Sequence, residues 1–465
     1  MKLTKKERQM YGQLSELFAL VQMLIVTGTY WGDEGKGKIV DALSRLFDLA
    51  VRYSGGAGAG HTLVTPDGKK FIGHLIPCGI AQGIRCILGR GVFFDLRRFL
   101  VEYKDARRVL GKNLPDVWID KHSPVWTKWH ELFEKWLEYS MGKKKVGTTG
   151  KAIGPLAGLN VLRAGLQVHH LYQNSGTMRT RLQSLYRALK PDFDEMVRLR
   201  IVKRKDIPLP IHVERDLMKD AMKIRHMVAD TASELSKAYT AGLRVLFEGA
   251  QAPGLDIDMG TWPFVSAGHS VAAGAPIGTG LPLSAFAKAV VLMVMKILPT
   301  RVGAGPFPSE LWNRKDSEHI FKGQYFQVLG YELGATTGRG RSVGLPDLMW
   351  LYYTIRINGP SYFALTRLDM LSGLNSIPVV VGYVLDGKRL PRGEMPDTDD
   401  LTRVQAVYER WTCWPEDITG ITQWSDLPLK ARQFVRKFER RLGVPIAIIG
   451  TGPRRNQMIV RTCKN

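Results

Sequence analysis

"MLIVTGTYWGDEGKGKIVDALSRLFDLAVRYSG", Met23 to Gly55, decides the fold. It opens on an apolar run, "MLIVTGT", and closes on a second, "LAVRYSG". Between them "KGKIVDALSRLF" carries apolar residues at helical spacing. Strand, helix, strand is the unit of a parallel sheet, whose neighbouring strands need a crossover to join them. The loop that enters the helix, "GDEGKGK" (Gly32 to Lys38), fits G-x-x-x-x-G-K, but Ile39 follows where a phosphate loop has Ser or Thr. That hydroxyl ordinarily binds Mg²⁺, so another oxygen must serve, and Asp33 is the nearest candidate. Backbone N–H groups at a helix start cradle phosphates, and Lys36 and Lys38 add charge. The alternative is a structural Gly/Lys turn.

Working outward, further strand-like runs are "CILGR", "RVLFEGA", "AVVLMVMKI", "SYFALTRLD", "IPVVVGYVL" and "PIAIIGTG". Several are apolar throughout, as expected of strands covered on both faces. A helix-rich stretch lies between about Ser123 and Ala241, and the Met/Leu stripe of its later part reads as core. There is no internal repeat or long linker. One large α/β domain with a central, mainly parallel sheet of the P-loop NTPase kind and helical insertions accounts for residues 23–465. Residues 1–22 read as an N-terminal extension, either a short added helix or sequence upstream of a start at Met23.

Hydrophobic residues make up 45% and charged residues 23%, values of a globular rather than a disordered chain. The net charge of +23 favours anionic partners without choosing among nucleotides, nucleic acid and acidic membranes. Cys78, Cys86, Cys413 and Cys463 show no C-x-x-C spacing, which fits a reducing compartment. No apolar run approaches the ~20 residues a bilayer span needs, and no signal peptide is legible, so the expected location is the cytoplasm.

In open α/β sheets ligands bind beyond the carboxyl ends of strands, where many of this chain's glycines lie. "SGGAGAGHT" (Ser54 to Thr62) follows the second strand, and His61 is its one titratable side chain. "FALTRLD" ends a strand on Asp369. Guanine presents two adjacent N–H donors that one carboxylate accepts together, and adenine does not. A mispaired buried acceptor costs roughly 1–3 kcal/mol, enough to prefer GTP by one or two decades. "GTTGKAIGP" (Gly147 to Pro155) and "GATTGRGRSVG" (Gly334 to Gly344) each combine hydroxyls with cations, as carboxylate or phosphate sites do.

Taken together, "WGDEGKGKIVD", "AGHTLV", "HLIPCGI", "VGTTGKAIGP", "FEGAQAPGLDIDMGTWPFV", "TRVGAGPFPSEL", "GATTGRGRS", "LTRLD" and "GVPIAIIGTGP" resemble, in colinear order, the adenylosuccinate synthetase family. The resemblance implies a Mg²⁺-dependent homodimer that makes adenylosuccinate from IMP, L-aspartate and GTP through 6-phosphoryl-IMP. It implies Asp33 as the base that takes the N1 proton of IMP and as a metal ligand with Gly60. His61 is implied as acid or hydrogen-bond donor, Lys36 as the cation on the transferred phosphoryl group, and Gln251 as a further catalytic residue. IMP would meet Asp33, Gly58, Thr149, Gln251, Ser266 and Arg339, with Arg163 reaching it from the other subunit. Lys151, Thr336, Thr337 and Arg339 would hold aspartate. The GTP site implied is Gly32, Glu34, Gly35, Lys36, Gly37, Lys38, Gly60, His61, Thr62, Arg341, Arg367, Asp369, Gly450, Gly452 and Pro453. No membrane or nucleic-acid partner is implied, despite the basic charge.

Departures from the family pattern fall around the ligands. Ala57 and Gly58 replace His-Asn, Lys151 and Arg367 replace an arginine and a lysine, and Gly450 replaces a serine. Gly340 and Ser342 alter the arginine run after "TTG". A relative that succinylates (d)GMP is the alternative, since Gly58 leaves room for a 2-amino group, although Asp33 is retained where such phage enzymes replace it. A GTP-binding protein without ligase activity is the third reading.

Overall fold

The computed structural model describes residues 3–65, 68–142, 146–311 and 341–462. Ten strands form its central sheet: β1 (Met23–Gly28), β2 (Leu49–Arg52), β3 (Arg85–Leu88), β4 (Val117–Asp120), β5 (Val228–Ala229), β6 (Val245–Glu248), β7 (Val290–Lys296), β8 (Tyr362–Thr366), β9 (Ile446–Gly450) and β10 (Met458–Val460). Their order is β10-β9-β8-β7-β1-β6-β2-β3-β4-β5. Every neighbouring pair is parallel except β9–β10. The expected mainly parallel α/β sheet is therefore what the chain builds.

All residues of β1, β2, β6 and β9 are buried, which explains runs without polar alternation. The period of two is still visible in what each residue touches. Leu24, Val26, Leu246 and Leu292 join the core that holds Ile39, Val40 and Leu43 of helix α2 (Lys36–Ser44). Ile25, Val51 and Phe247 face a second core on the opposite side, and Met293, Phe363 and Leu365 a third, with Trp350 and Trp411.

Two details differ from the simplest reading of the sequence. The β1-α2-β2 unit exists, but β6, almost two hundred residues further on, is inserted between its strands. The run "IPVVVGYVL" lies outside the central sheet, in a three-stranded antiparallel sheet of Ser376–Leu385, Lys388–Arg389 and Gln405–Thr412. The reason is local. Asp386 (φ 49°) and Gly387 (φ 79°) are the two left-handed residues of a tight hairpin, which returns the chain beside itself.

After α3 (Leu96–Leu110), the helical stretch comprises α4 (Lys128–Met141), α5 (Ile153–Val161), α6 (Ser175–Arg198), α7 (Pro210–Ala221) and α8 (Thr231–Thr240), with α4 and α6, and α6 and α7, packed together. Upstream of β1, helix α1 (Lys5–Leu17) opens on a capping box of Thr4 and Glu7. It buries Met10, Tyr11 and Leu14, followed by Phe18, against the main core. None of the described helices is long and apolar enough to cross a membrane.

Candidate active site

Because the strands run parallel, the loops after β1, β2, β6, β8 and β9 all leave from one edge of the sheet. A cleft of about 390 Å³ opens there, lined by Asp33, Lys36, Gly58, Gly60, His61, Thr149, Gln251 and Ser266, among others. Segments more than two hundred residues apart thus meet at one place.

The phosphate-loop geometry is held by a carboxylate of its own. Glu34, almost fully buried, accepts from the backbone N–H groups of Tyr30 (3.1 Å) and Gly32 (2.9 Å) and pairs with Lys36 Nζ at 2.5 Å. Glu34 therefore braces the loop from behind and is not among the residues lining the cleft. Thr366 Oγ1 donates to the Glu34 carbonyl at 2.6 Å, joining the end of β8 to the loop. Gly32 (φ 97°) and Gly35 (φ 90°) take conformations other residues resist. Asp33 also lies at positive φ, 60°, but its side chain stays partly exposed, with Oδ2 2.8 Å from Arg341 Nε. Arg341, expected on GTP, is here the partner of the expected base.

His61 is backed by a buried ion pair. Glu248, the last residue of β6, lies beside Arg52, the last of β2, in the strand register. Its Oε1 accepts from Arg52 Nη1 at 2.6 Å and is bonded to His61 Nδ1, while Oε2 accepts from the Cys78 N–H at 2.7 Å. Burial first, and then Arg52, push His61 down to about 4. Burial works against the Glu248 carboxylate too, but Arg52 and His61 outweigh it and bring Glu248 to about 2. At neutral pH His61 is thus a neutral ring whose Nδ1–H donates a hydrogen bond to Glu248, with Nε2 engaged by neither Glu248 nor Arg52. Arg301, held at about 9 by burial, arranges the cleft loop by donating to the carbonyls of Ala304, Pro306 and Phe264.

The residues expected to meet guanine lie at the carboxyl ends of β8 and β9, outside the lining of the cleft. Asp369 Oδ1 is buried with no hydrogen-bond partner among the described residues, an acceptor waiting for a donor. Burial raises the Asp369 carboxyl; Lys38 and Arg367 act to lower it. Lys38 Nζ donates to the carbonyls of Gly452 (2.6 Å) and Gln457 (2.7 Å), and burial pushes it down to about 7 against the pull of Asp369. A Cβ on Gly450 would stand 3.4 Å from that same Nζ. Pro453 is exposed beside Gly452.

Other expected residues fall elsewhere. Arg163 is exposed, at φ 63°, away from the cleft lining. Thr62 faces solvent, and Lys151 stands near Gly58 without lining the cleft. Gly37 is where α2 meets the segment His61–Val64: a Cβ there would lie 3.1 Å from the Thr62 carbonyl. Thr336, Thr337 and Arg339 lie outside the described residues. Glu248, Arg52, Arg301 and Glu138, whose carboxylate accepts from Val146 and Gly147, were not singled out by sequence. A charged residue ending an otherwise apolar strand, as in "LAVR" and "VLFE", was the signal for the first two.

Comparison with known proteins bears on the chain as a whole. The adenylosuccinate synthetase family matches residues 25–459. Adenylosuccinate synthetase of Mycobacterium marinum is 39% identical over 440 residues, 94% of this chain and 98% of that relative. The fully ligated adenylosuccinate synthetase from Plasmodium falciparum shares the structure with a TM-score of 0.84 at 31% identity, over 95% of this chain and 100% of that one. Succinoaminodeoxyadenylate synthetase of cyanophage S-2L, bound to dGMP and to dATP as an energy donor, has a TM-score of 0.58 at 18% identity over 94% of each chain, a likeness of fold alone. With a match running from β1 into β10, and the cleft built from the loops within it, the chain belongs to the adenylosuccinate synthetase family.

Proposed function

We infer that the protein joins the amine of L-aspartate to C6 of IMP with GTP, giving adenylosuccinate, GDP and phosphate. The observation that supports this reading best is the meeting of Asp33, His61 and Gln251 on one cleft beside a loop built for phosphate. In the proposed reaction the Asp33 carboxylate takes the N1 proton of IMP, and O6 attacks the γ-phosphorus as the bond to GDP breaks. Lys36 and His61 stabilise charge on the phosphoryl group in transfer. The aspartate amine then attacks C6, phosphate leaves with O6, and the amine gives up a proton. Arg341, now paired with Asp33, is expected to turn to the nucleotide when it binds, which frees the carboxylate.

Asp33 and Gly60 both line the cleft and both offer hard oxygen donors, the kind Mg²⁺ takes. They would hold the ion, which when bound neutralises phosphate charge. Asp369, with an unpaired buried acceptor, fits the paired donors of guanine. Thr149, Ser266 and Gly58 are proposed for IMP, and Lys151 with the segment around Thr336, Thr337 and Arg339 for aspartate. Exposed Arg163 is proposed to complete the neighbouring site in a homodimer.

The test is paired turnover: purified protein with Mg²⁺, GTP and aspartate receives IMP or dGMP, and nucleotide products are separated. Succinylated product from IMP is expected. Product from dGMP alone would overturn the assignment of substrate.

A further inference from the structure

Helix α1 precedes the residues the family matches, yet it packs into the main core beside α2 and on β10. The segment after β9, residues 451–457, carries Gly452 and Pro453 and is fastened to α2 at two points. One is Lys38 on the carbonyls of Gly452 and Gln457. The other is Arg455, which forks onto Asp41 with Nε–Oδ2 2.5 Å and Nη2–Oδ1 2.8 Å. Both members of this pair are buried, and Gln82 Nε2 donates to the same Asp41 at 2.7 Å. A two-pronged pair of this kind holds geometry best where water is kept out.

Helix α1 stands beside this pair. Tyr11 and Glu7, both buried, act electrostatically on Arg455, and the Tyr11 hydroxyl has no hydrogen-bond partner among the described residues. The Arg45 guanidinium stands 5.3 Å from the Tyr11 ring centroid. The helix packs on β10, and Phe18 meets Tyr362 of β8 edge-on at 6.2 Å. Arg244 ties down its end by donating to the carbonyls of Phe18 (2.6 Å) and Val21 (3.0 Å).

We propose that α1 is a positioning element for the guanine nucleotide: by sealing the Arg455–Asp41 pair it fixes residues 451–457 against α2 and sets GTP affinity without touching GTP. The proposal rests on the reading of this edge of the sheet as the GTP site. Loss of a helix that only added stability would lower the melting temperature and leave the Michaelis constants alone.

The experiment compares the full chain with a chain lacking residues 1–22 and with Tyr11→Ala, measuring kcat and KM for GTP, IMP and aspartate. Titration with fluorescent N-methylanthraniloyl GDP runs alongside. The deletion is expected to weaken GTP and the GDP probe about tenfold while KM for IMP and kcat stay within about twofold. Should the deleted chain not fold, Tyr11→Ala in the full chain carries the test, with the same selective loss expected. Unchanged guanine-nucleotide affinity beside a lowered melting temperature overturns the proposal, as does an equal rise in all three KM values. The probe needs no turnover, so its failure points differ: a full chain that binds no GDP probe overturns the GTP reading as well, whereas equal binding by the full and altered chains overturns the proposal alone.

Discussion

Asp33, Gln251 and Arg367 hold φ values of 60°, 53° and 58°. A left-handed conformation costs such residues of order 1–3 kcal/mol each and persists where the surroundings over-determine it. All three lie in loops leaving the carboxyl edge of the sheet, where strain is useful because it fixes a side chain against its ligand. Asp33→Ala is expected to lower kcat by about 10²–10⁴-fold while leaving binding of the GDP probe largely intact; normal turnover would remove the proposed base. Lys38 gives a pH dependence. Its ammonium, at about 7 in the free protein, is favoured by an anionic nucleotide, so binding draws in a proton above pH 7. GTP affinity should therefore be full below pH 7 and fall as pH rises beyond it, and Lys38→Met should flatten that dependence in a titration from pH 6.5 to 9. Asp33, His61 and Asp369 were legible in the sequence because each ends or punctuates a glycine-rich or strand-end motif. Glu248 and Arg52 were not: their pairing exists only through the β2–β6 register, which no local pattern discloses.

At the scale of elements, α2 is the part whose fit matters most, since it carries the phosphate loop at its start and faces the segment of His61. Gly37 permits that contact: a Cβ would stand 3.1 Å from the Thr62 carbonyl, 3.2 Å from His61 Cβ and 3.4 Å from Cys78 Sγ. Gly37→Ala should destabilise the fold by about 1–3 kcal/mol through overpacking and displace His61. A thermal melt and kcat measured together check this, and unchanged values in both would contradict it. The strands of the central sheet were read from their apolar runs, because burial on both faces is written into composition. Strand order was not, since the insertion of β6 between β1 and β2 depends on contacts distant in sequence. The hairpin at Asp386-Gly387 was legible and passed over, as a D-G pair after an apolar run is a turn signal.

For the whole molecule, the question is whether one chain is enough to make a working site. Arg163 is exposed and stands apart from the cleft of its own chain, so the proposed dimer gives it a role that the single chain does not. Arg163→Leu and Asp33→Ala are each expected to be nearly inactive alone. Mixed in equal amounts and allowed to exchange subunits, they should recover about a quarter of wild-type activity, because half the dimers then hold one intact site of two. No recovery after demonstrated exchange would place Arg163 outside its neighbour's site. The charge of +23 needs no nucleic acid under this account, since the substrates themselves are anions.

The central claim is that O6 of IMP is activated by phosphorylation, and isotope transfer tests it most directly. IMP labelled with ¹⁸O at C6 is turned over with GTP and aspartate, and the released phosphate is examined by mass spectrometry. The account predicts one ¹⁸O in each phosphate formed. Phosphate without the label, with adenylosuccinate still made, would contradict it and move the activation to another atom.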